Sequence, residues 1–112
     1  MANRYFVGGT GNWNDTAHWS TSDGGAGGAS VPGTADTVII NGNSGTGTLT
    51  VDTSVDVLVF SCTSANQLSF VQNGQTITVS GNCTFDSDGT GNLTLDATLT
   101  LDADGDLVFG GS

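Results

Sequence analysis

Val55-Asp56-Val57, Ile77-Thr78-Val79 and Leu99-Thr100-Leu101 are one pattern written three times, an apolar pair enclosing a polar residue, each copy 22 positions after the last. Apolar residues two apart lie on one face of a strand, and a strand that returns at a fixed interval implies a chain that winds and stacks on itself. Two further columns run beside the first. One contains Val38 and Ile40, Phe60 and Cys62, Cys83 and Phe85, and Leu107 and Phe109; the other contains Leu49 and Val51, Leu68 and Phe70, and Leu93 and Leu95. Spacing in these columns drifts across segments such as 41–48 and 86–92, which are rich in Gly, Asn, Asp, Ser and Thr, the residues that build turns. The expectation is an all-β fold, a short parallel β-helix (β-solenoid) of about 22 residues and three strands per coil, with the coils spanning residues 37–112.

Composition agrees. All eleven acidic residues are Asp, and Glu and Lys are absent, so the best polar helix formers are missing while Thr, Ser, Gly and Asn abound. At 112 residues the chain makes one domain. It contains no apolar run long enough for a membrane helix, and residues 1–5 lack the basic-then-apolar pattern of a secretory signal. A single Arg against eleven Asp gives a net charge of −10, which argues against nucleic acid as a partner, since phosphate binding needs several cations. An acidic surface suits solubility, repulsion between unassembled copies, or docking on a basic protein.

Residues 1–36 differ in character. Tyr5, Phe6, Trp13 and Trp19 precede a Gly-rich stretch, 24–28, and the segment is expected to cap the exposed apolar end of the coils or to dock on a partner. Residues 14–19 suit a helical turn with Asn14 or Asp15 as its N-cap, and Val31-Pro32 suits an extended approach to the first coil.

The string Tyr5-Phe6-Val7-Gly8-Gly9-Thr10-Gly11-Asn12-Trp13-Asn14-Asp15, followed by His18-Trp19-Ser20, Val31-Pro32 and Asp36-Thr37-Val38, resembles the opening of a group of bacteriophage structural proteins. Similar openings precede the β-helices of some autotransporter-type surface proteins. The resemblance covers about the first forty residues; beyond them only the β-solenoid style is shared. It implies a virion component of the head or the tail and brings no catalytic residue with it. The brevity of the coil region favours a small accessory protein over a receptor-cleaving spike.

Candidate chemistry is sparse. Cys62 and Cys83 fall in different columns, with Cys83 expected over Phe60 and Cys62 under Phe85. About 4.8 Å between strands and roughly 6.8 Å along them separates the two Cα atoms by about 8 Å, which is too far for a disulfide; buried free thiols are expected. Asp86 and Asp88, with Asp102, Asp104 and Asp106, place oxygen ligands at alternate positions as calcium loops do, yet the glycine and glutamate of an EF-hand are missing. Solvated turn aspartates are the competing reading, and no cofactor is expected beyond that calcium candidate. His18, the only histidine, has no Cys or paired acid beside it, and no Ser or Cys has a legible base and orienter, so no enzyme is expected. The glycosylation triplets at Asn14, Asn82 and Asn92 carry no weight without a secretory signal.

The last pair, Leu107 and Phe109, has no following coil in this sequence, and Gly110-Gly111-Ser112 is too small to cover it. Self-association or docking on a larger particle would bury that end. The resulting expectation is a capsid decoration or cement protein on the outer phage head, a homotrimer bound to the major capsid protein or another virion protein, assembled in the host cytoplasm without nucleic-acid or membrane partners. Arg4, Tyr5, Phe6, Trp13, His18, Trp19, Leu107 and Phe109 are the expected partner-binding residues. The alternatives are a tail accessory or fibre-base adsorption protein that binds surface carbohydrate, and a short surface adhesin module.

Overall fold

A computed structural model describes residues 2–62, 68–71, 73–87, 93–94, 101–103 and 107–111, with side chains described over 2–62, at 71 and over 73–84. The described chain is mostly strand with two single-turn 3₁₀ segments, an all-β protein. Among the described residues thirteen strands run in chain order: β1 Asn3–Phe6, β2 Gly11–Asn12, β3 Trp19–Ser20, β4 Thr37–Ile40, β5 Gly47–Thr50, β6 Val55–Val57, β7 Val59–Cys62, β8 Leu68–Val71, β9 Ile77–Val79, β10 Cys83–Ser87, β11 Leu93–Thr94, β12 Leu101–Ala103 and β13 Leu107–Gly111.

They form three small sheets. The first has the order β13-β10-β7-β4-β1-β3, the second β11-β8-β5-β2 and the third β12-β9-β6. Every pair is parallel except β1 with β3, which is antiparallel. Parallel neighbours cannot be joined by a tight hairpin, so the chain leaves each sheet, visits the others and returns. From β4 to β13 the visits follow a strict first, second, third rotation.

Alternation decides which side chains go inside. Val55 and Val57 are buried while Asp56 between them is exposed, and Val38, Ile40, Phe60, Cys62, Ile77, Val79 and Cys83 are buried in the same manner. Each such aliphatic or aromatic side chain contributes about 1.5–3 kcal/mol on burial. Aligned by register, Val38 lies opposite Phe60 and Phe60 opposite Cys83, while Ile40 lies opposite Cys62 and Cys62 opposite Phe85; Cys83 and Phe85 then lie opposite Leu107 and Phe109. The first column is therefore as the sequence arranges it, and Cys62 and Cys83 form no disulfide.

The other two columns are shifted from expectation. In the second, Leu49 opposes Phe70 rather than Leu68, and Leu93 opposes Phe70 as well. In the third, Val55 and Val57 do oppose Ile77 and Val79, but Ile77 is followed by Leu101 rather than Leu99, and Val79 by Ala103. Leu95 and Leu99 lie outside the described residues. Each shift is by two residues, which keeps the same side chains on the same face, so apolar periodicity alone cannot distinguish the registers.

Residues 1–36 contribute strands to the same sheets as the rest of the chain. β1 pairs with β4 and β2 with β5, both in parallel, so the boundary drawn at residue 36 from composition divides two hydrogen-bonded layers of one sheet. The third sheet has no strand from this segment among the described residues. In its place the chain makes a 3₁₀ turn, Thr16–His18, capped by Asp15, whose carboxylate accepts from Ala17 N–H at 3.0 Å, and then runs back along β1 as β3. That is the expected helical turn, with Asp15 as the cap. A second turn, Gly42–Ser44, lies in the drifting segment and is held by a reciprocal cap. The Asn41 carboxamide accepts from Asn43 N–H at 2.9 Å, and the buried Ser44 hydroxyl accepts from Asn41 N–H at 3.0 Å.

Candidate functional site

Phe6, Trp13 and Trp19 gather at one end of the core. Trp13, Trp19 and Phe6 are essentially inaccessible to solvent. Trp13 stacks on Phe60 with ring centroids 6.0 Å apart and planes 7° from parallel, and Trp19 meets it edge-on at 5.0 Å. Phe6 meets Trp19 edge-on at 5.3 Å and stacks on the His18 ring at 5.3 Å. The Trp19 indole N–H donates to the Trp13 carbonyl at 2.7 Å, whereas the Trp13 indole N–H is buried with no hydrogen-bond partner among the described residues. A group packed this way is core, so the expectation that Phe6, Trp13 and Trp19 touch a partner is corrected: a fully buried side chain has no surface to offer.

His18 closes the same end. Its Nδ1–H donates to the Val7 carbonyl at 2.8 Å, and the backbones of the two residues join where Val7 N–H donates to the His18 carbonyl, also at 2.8 Å. This hydrogen bond places the proton of a neutral ring on Nδ1. The imidazole lies against Gly8 and Gly11, where any Cβ would collide with ring atoms, and Gly8 also has a positive φ of 90°. Gly8 and Gly11 of the Tyr5-to-Asp15 string are thus spaces for a histidine side chain, while Gly9 lies against the Thr46 backbone. The ring serves as a packed, hydrogen-bonded cover rather than as an isolated base.

Arg4 and Tyr5 remain nearer the surface. Arg4, the only cationic residue besides the chain terminus, spends its guanidinium on the loop before Pro32: Nε donates to the Ser30 carbonyl and Nη2 to the Ser30 hydroxyl, both at 2.9 Å. Tyr5 is half-buried, and its hydroxyl accepts from Asn3 Nδ2 at 3.4 Å. At the opposite end, Leu107 and Phe109 are carried by β13, the outermost strand of the first sheet, far along the strand order from Arg4 and Tyr5 on β1. The expected partner-binding residues therefore fall at two ends of the sheets and form no single cluster.

The calcium candidates divide in a similar way. Asp86 is in β10 of the first sheet, opposite Gly110, and Asp102 is in β12 of the third, opposite Thr78, so both stand in paired strands rather than in a loop that folds around an ion. Asp88, Asp104 and Asp106 lie outside the described residues. Among the described residues no three His, Cys or Asp side chains come together as a metal site would require. Among the described residues no helix is long and apolar enough to cross a membrane.

Cys83 is buried between the Phe60 and Leu107 positions of neighbouring strands, and burial pushes its thiol up to about 11. A neutral thiol in such a place is a small apolar filler and a poor nucleophile.

Composition also conceals polar clasps. Asp23 accepts from Asn41 Nδ2 at 3.1 Å and from Asn43 Nδ2 at 3.3 Å, tying the Gly-rich loop to the corner after β4. Asp52 accepts from Asn14 N–H at 2.8 Å, and the Asp36 carboxylate from Gly33 N–H at 2.8 Å. Only the Asn41–Ser44 spacing could have been recognised beforehand, as a variant of the helix capping box. The Asp23 and Asp52 clasps join residues 18 to 38 positions apart and leave no local signal.

No family model matches the chain, and no curated protein or solved structure matches it either.

Proposed function

We propose that the three sheets are the faces of a short parallel β-helix and that the protein is a structural virion component, a capsid decoration protein that reinforces contacts between capsomers on the outside of a phage head. The strict rotation of β4 to β13 through the three sheets, with parallel pairing at every return, supports the coil reading. The resemblance of residues 5–38 to phage structural proteins supports the virion reading.

The observation that carries the functional proposal is the unequal treatment of the two ends. One is closed by Trp13, Trp19, Phe6 and His18 and by the antiparallel strand β3. At the other, β11, β12 and β13 are the outermost strands of the three sheets, with no further strand beyond them among the described residues. Parallel strand edges attract other chains and are ordinarily covered. In this reading a shell protein covers them, and many modest interfaces act together. The burial of Phe6, Trp13 and Trp19 moves the docking role away from the N-terminal aromatics and towards the β11–β13 end.

Quantitative gel analysis of purified virions tests the proposal. A copy number comparable with that of the major shell protein supports decoration, and absence from the particle refutes it. A second reading, a tail accessory protein that binds carbohydrate, is favoured by one feature. In the second sheet Thr48 lies opposite Ser69, and Asn12, Thr50, Val71 and Thr94 follow one another in register, a mainly polar row on a regular strand spacing. Only a handful of copies per virion would select that reading.

A further inference from the structure

Two asparagines in this chain precede glycine, Asn41-Gly42 and Asn73-Gly74, and the fold holds them in opposite ways. Asparagine before glycine is the dipeptide most prone to spontaneous deamidation, because no side chain on the second residue hinders approach of its backbone nitrogen to the asparagine side chain. The reaction requires the Asn Cγ to swing onto that nitrogen. Whatever restrains the carboxamide therefore slows the chemistry.

Asn41 is restrained on every side. Its Oδ1 accepts from Asn43 N–H at 2.9 Å and, as the N-cap, its side chain also accepts from Ser44 N–H; its Nδ2 donates to Asp23 at 3.1 Å. Its own backbone N–H is held by the Ser44 hydroxyl, and the residue is half-buried. Asn73 is exposed, sits in a turn with φ of 59°, and among the described residues its side chain makes one hydrogen bond, from Nδ2 to the Val51 carbonyl at 3.3 Å. It is also the only described non-glycine residue with positive φ, a conformation whose local cost makes opening of the turn easier.

We propose that Asn73 is a site of spontaneous deamidation and isomerisation, and that Asn41, in the same dipeptide, is protected by its cap. The Gly74 backbone nitrogen loses its proton to solvent base and attacks Asn73 Cγ. The new N–Cγ bond closes a succinimide, and the Cγ–Nδ2 bond breaks with release of ammonia. Water then opens the ring at either carbonyl to give Asp or β-linked isoaspartate at position 73, so the overall reaction consumes one water and releases one ammonia. The product adds a negative charge beside Val51, the residue that precedes Asp52. It also replaces a donor to the Val51 carbonyl by a carboxylate that repels it.

The test uses the unaltered full-length chain, incubated folded at mildly alkaline pH and, in parallel, unfolded in denaturant, with peptide mapping that separates Asn, Asp and isoaspartate. In the unfolded chain the two sites should convert at rates within about twofold of each other, since the fold no longer distinguishes them. In the folded chain Asn73 should convert at least about tenfold faster than Asn41, because opening one exposed turn costs less than breaking a packed cap. Equal native rates, faster conversion at Asn41, or no conversion at Asn73 while the unfolded control converts would each overturn the proposal. None of these outcomes depends on whether the protein is found on a capsid.

Discussion

His18 and Val7 hold each other twice, through the ring Nδ1–H donated to the Val7 carbonyl and through the Val7 N–H donated to the His18 carbonyl, each at 2.8 Å. Only the first of these bonds depends on the side chain. Replacement His18→Ala removes it, along with the ring stacked on Phe6, and should destabilise the protein by about 1–3 kcal/mol in denaturant titration. A smaller loss would mean that the ring is an ornament of the surface.

The same ring makes a prediction about Gly11. Its Cβ position is occupied by the imidazole, so Gly11→Ala must displace His18 and should cost about 1–3 kcal/mol. In the double variant, with His18→Ala, the collision disappears and the two effects should fall short of additivity by about 0.5–3 kcal/mol. Additive effects would show that Gly11 is required for another reason.

Trp13 and Trp19 are equally buried but unequally bonded. Trp19→Phe deprives the buried Trp13 carbonyl of its indole donor, while Trp13→Phe removes an N–H that has no partner among the described residues. The loss of ring volume is the same in both. Trp19→Phe should therefore be the more destabilising by about 1 kcal/mol, measured by thermal or chemical unfolding. The reverse order would contradict the hydrogen-bond assignment.

Cys83 links burial to pH. Its thiol titrates near 9 when unfolded and about 11 when folded, so the folded state holds the proton more tightly. The stabilisation this provides is complete below pH 9 and is lost as pH rises through 11. Cys83→Ala should flatten the decline in stability over that window, and iodoacetamide should label Cys83 at neutral pH only after unfolding. Rapid labelling of the native protein would place the thiol elsewhere.

The part of the fold legible in the sequence is which side chains of each strand face inward. Val38, Phe60, Cys83 and Leu107 align as their alternation requires because a one-residue slip would expose them all. A two-residue slip exposes nothing, which is why Leu68 and Leu99 looked like partners of Leu49 and Ile77 when Phe70 and Leu101 are. Turn length sets that choice, and the turns are built from interchangeable small polar residues. At the N-terminal end, aromatic content marks an apolar segment, and Trp13 and Trp19 are part of the core. Composition could not show that they lie inside it, because the burial depends on β3 returning antiparallel along β1.

A density map of the intact particle to which the protein belongs tests the central claim most directly, because it gives location, symmetry and contacts together. The account predicts protein density on the outer shell with the β11–β13 end seated on the shell protein and the Trp13–Trp19–His18 end pointing away. A shell without that density, or a bound protein whose β11–β13 edges face solvent, would contradict it.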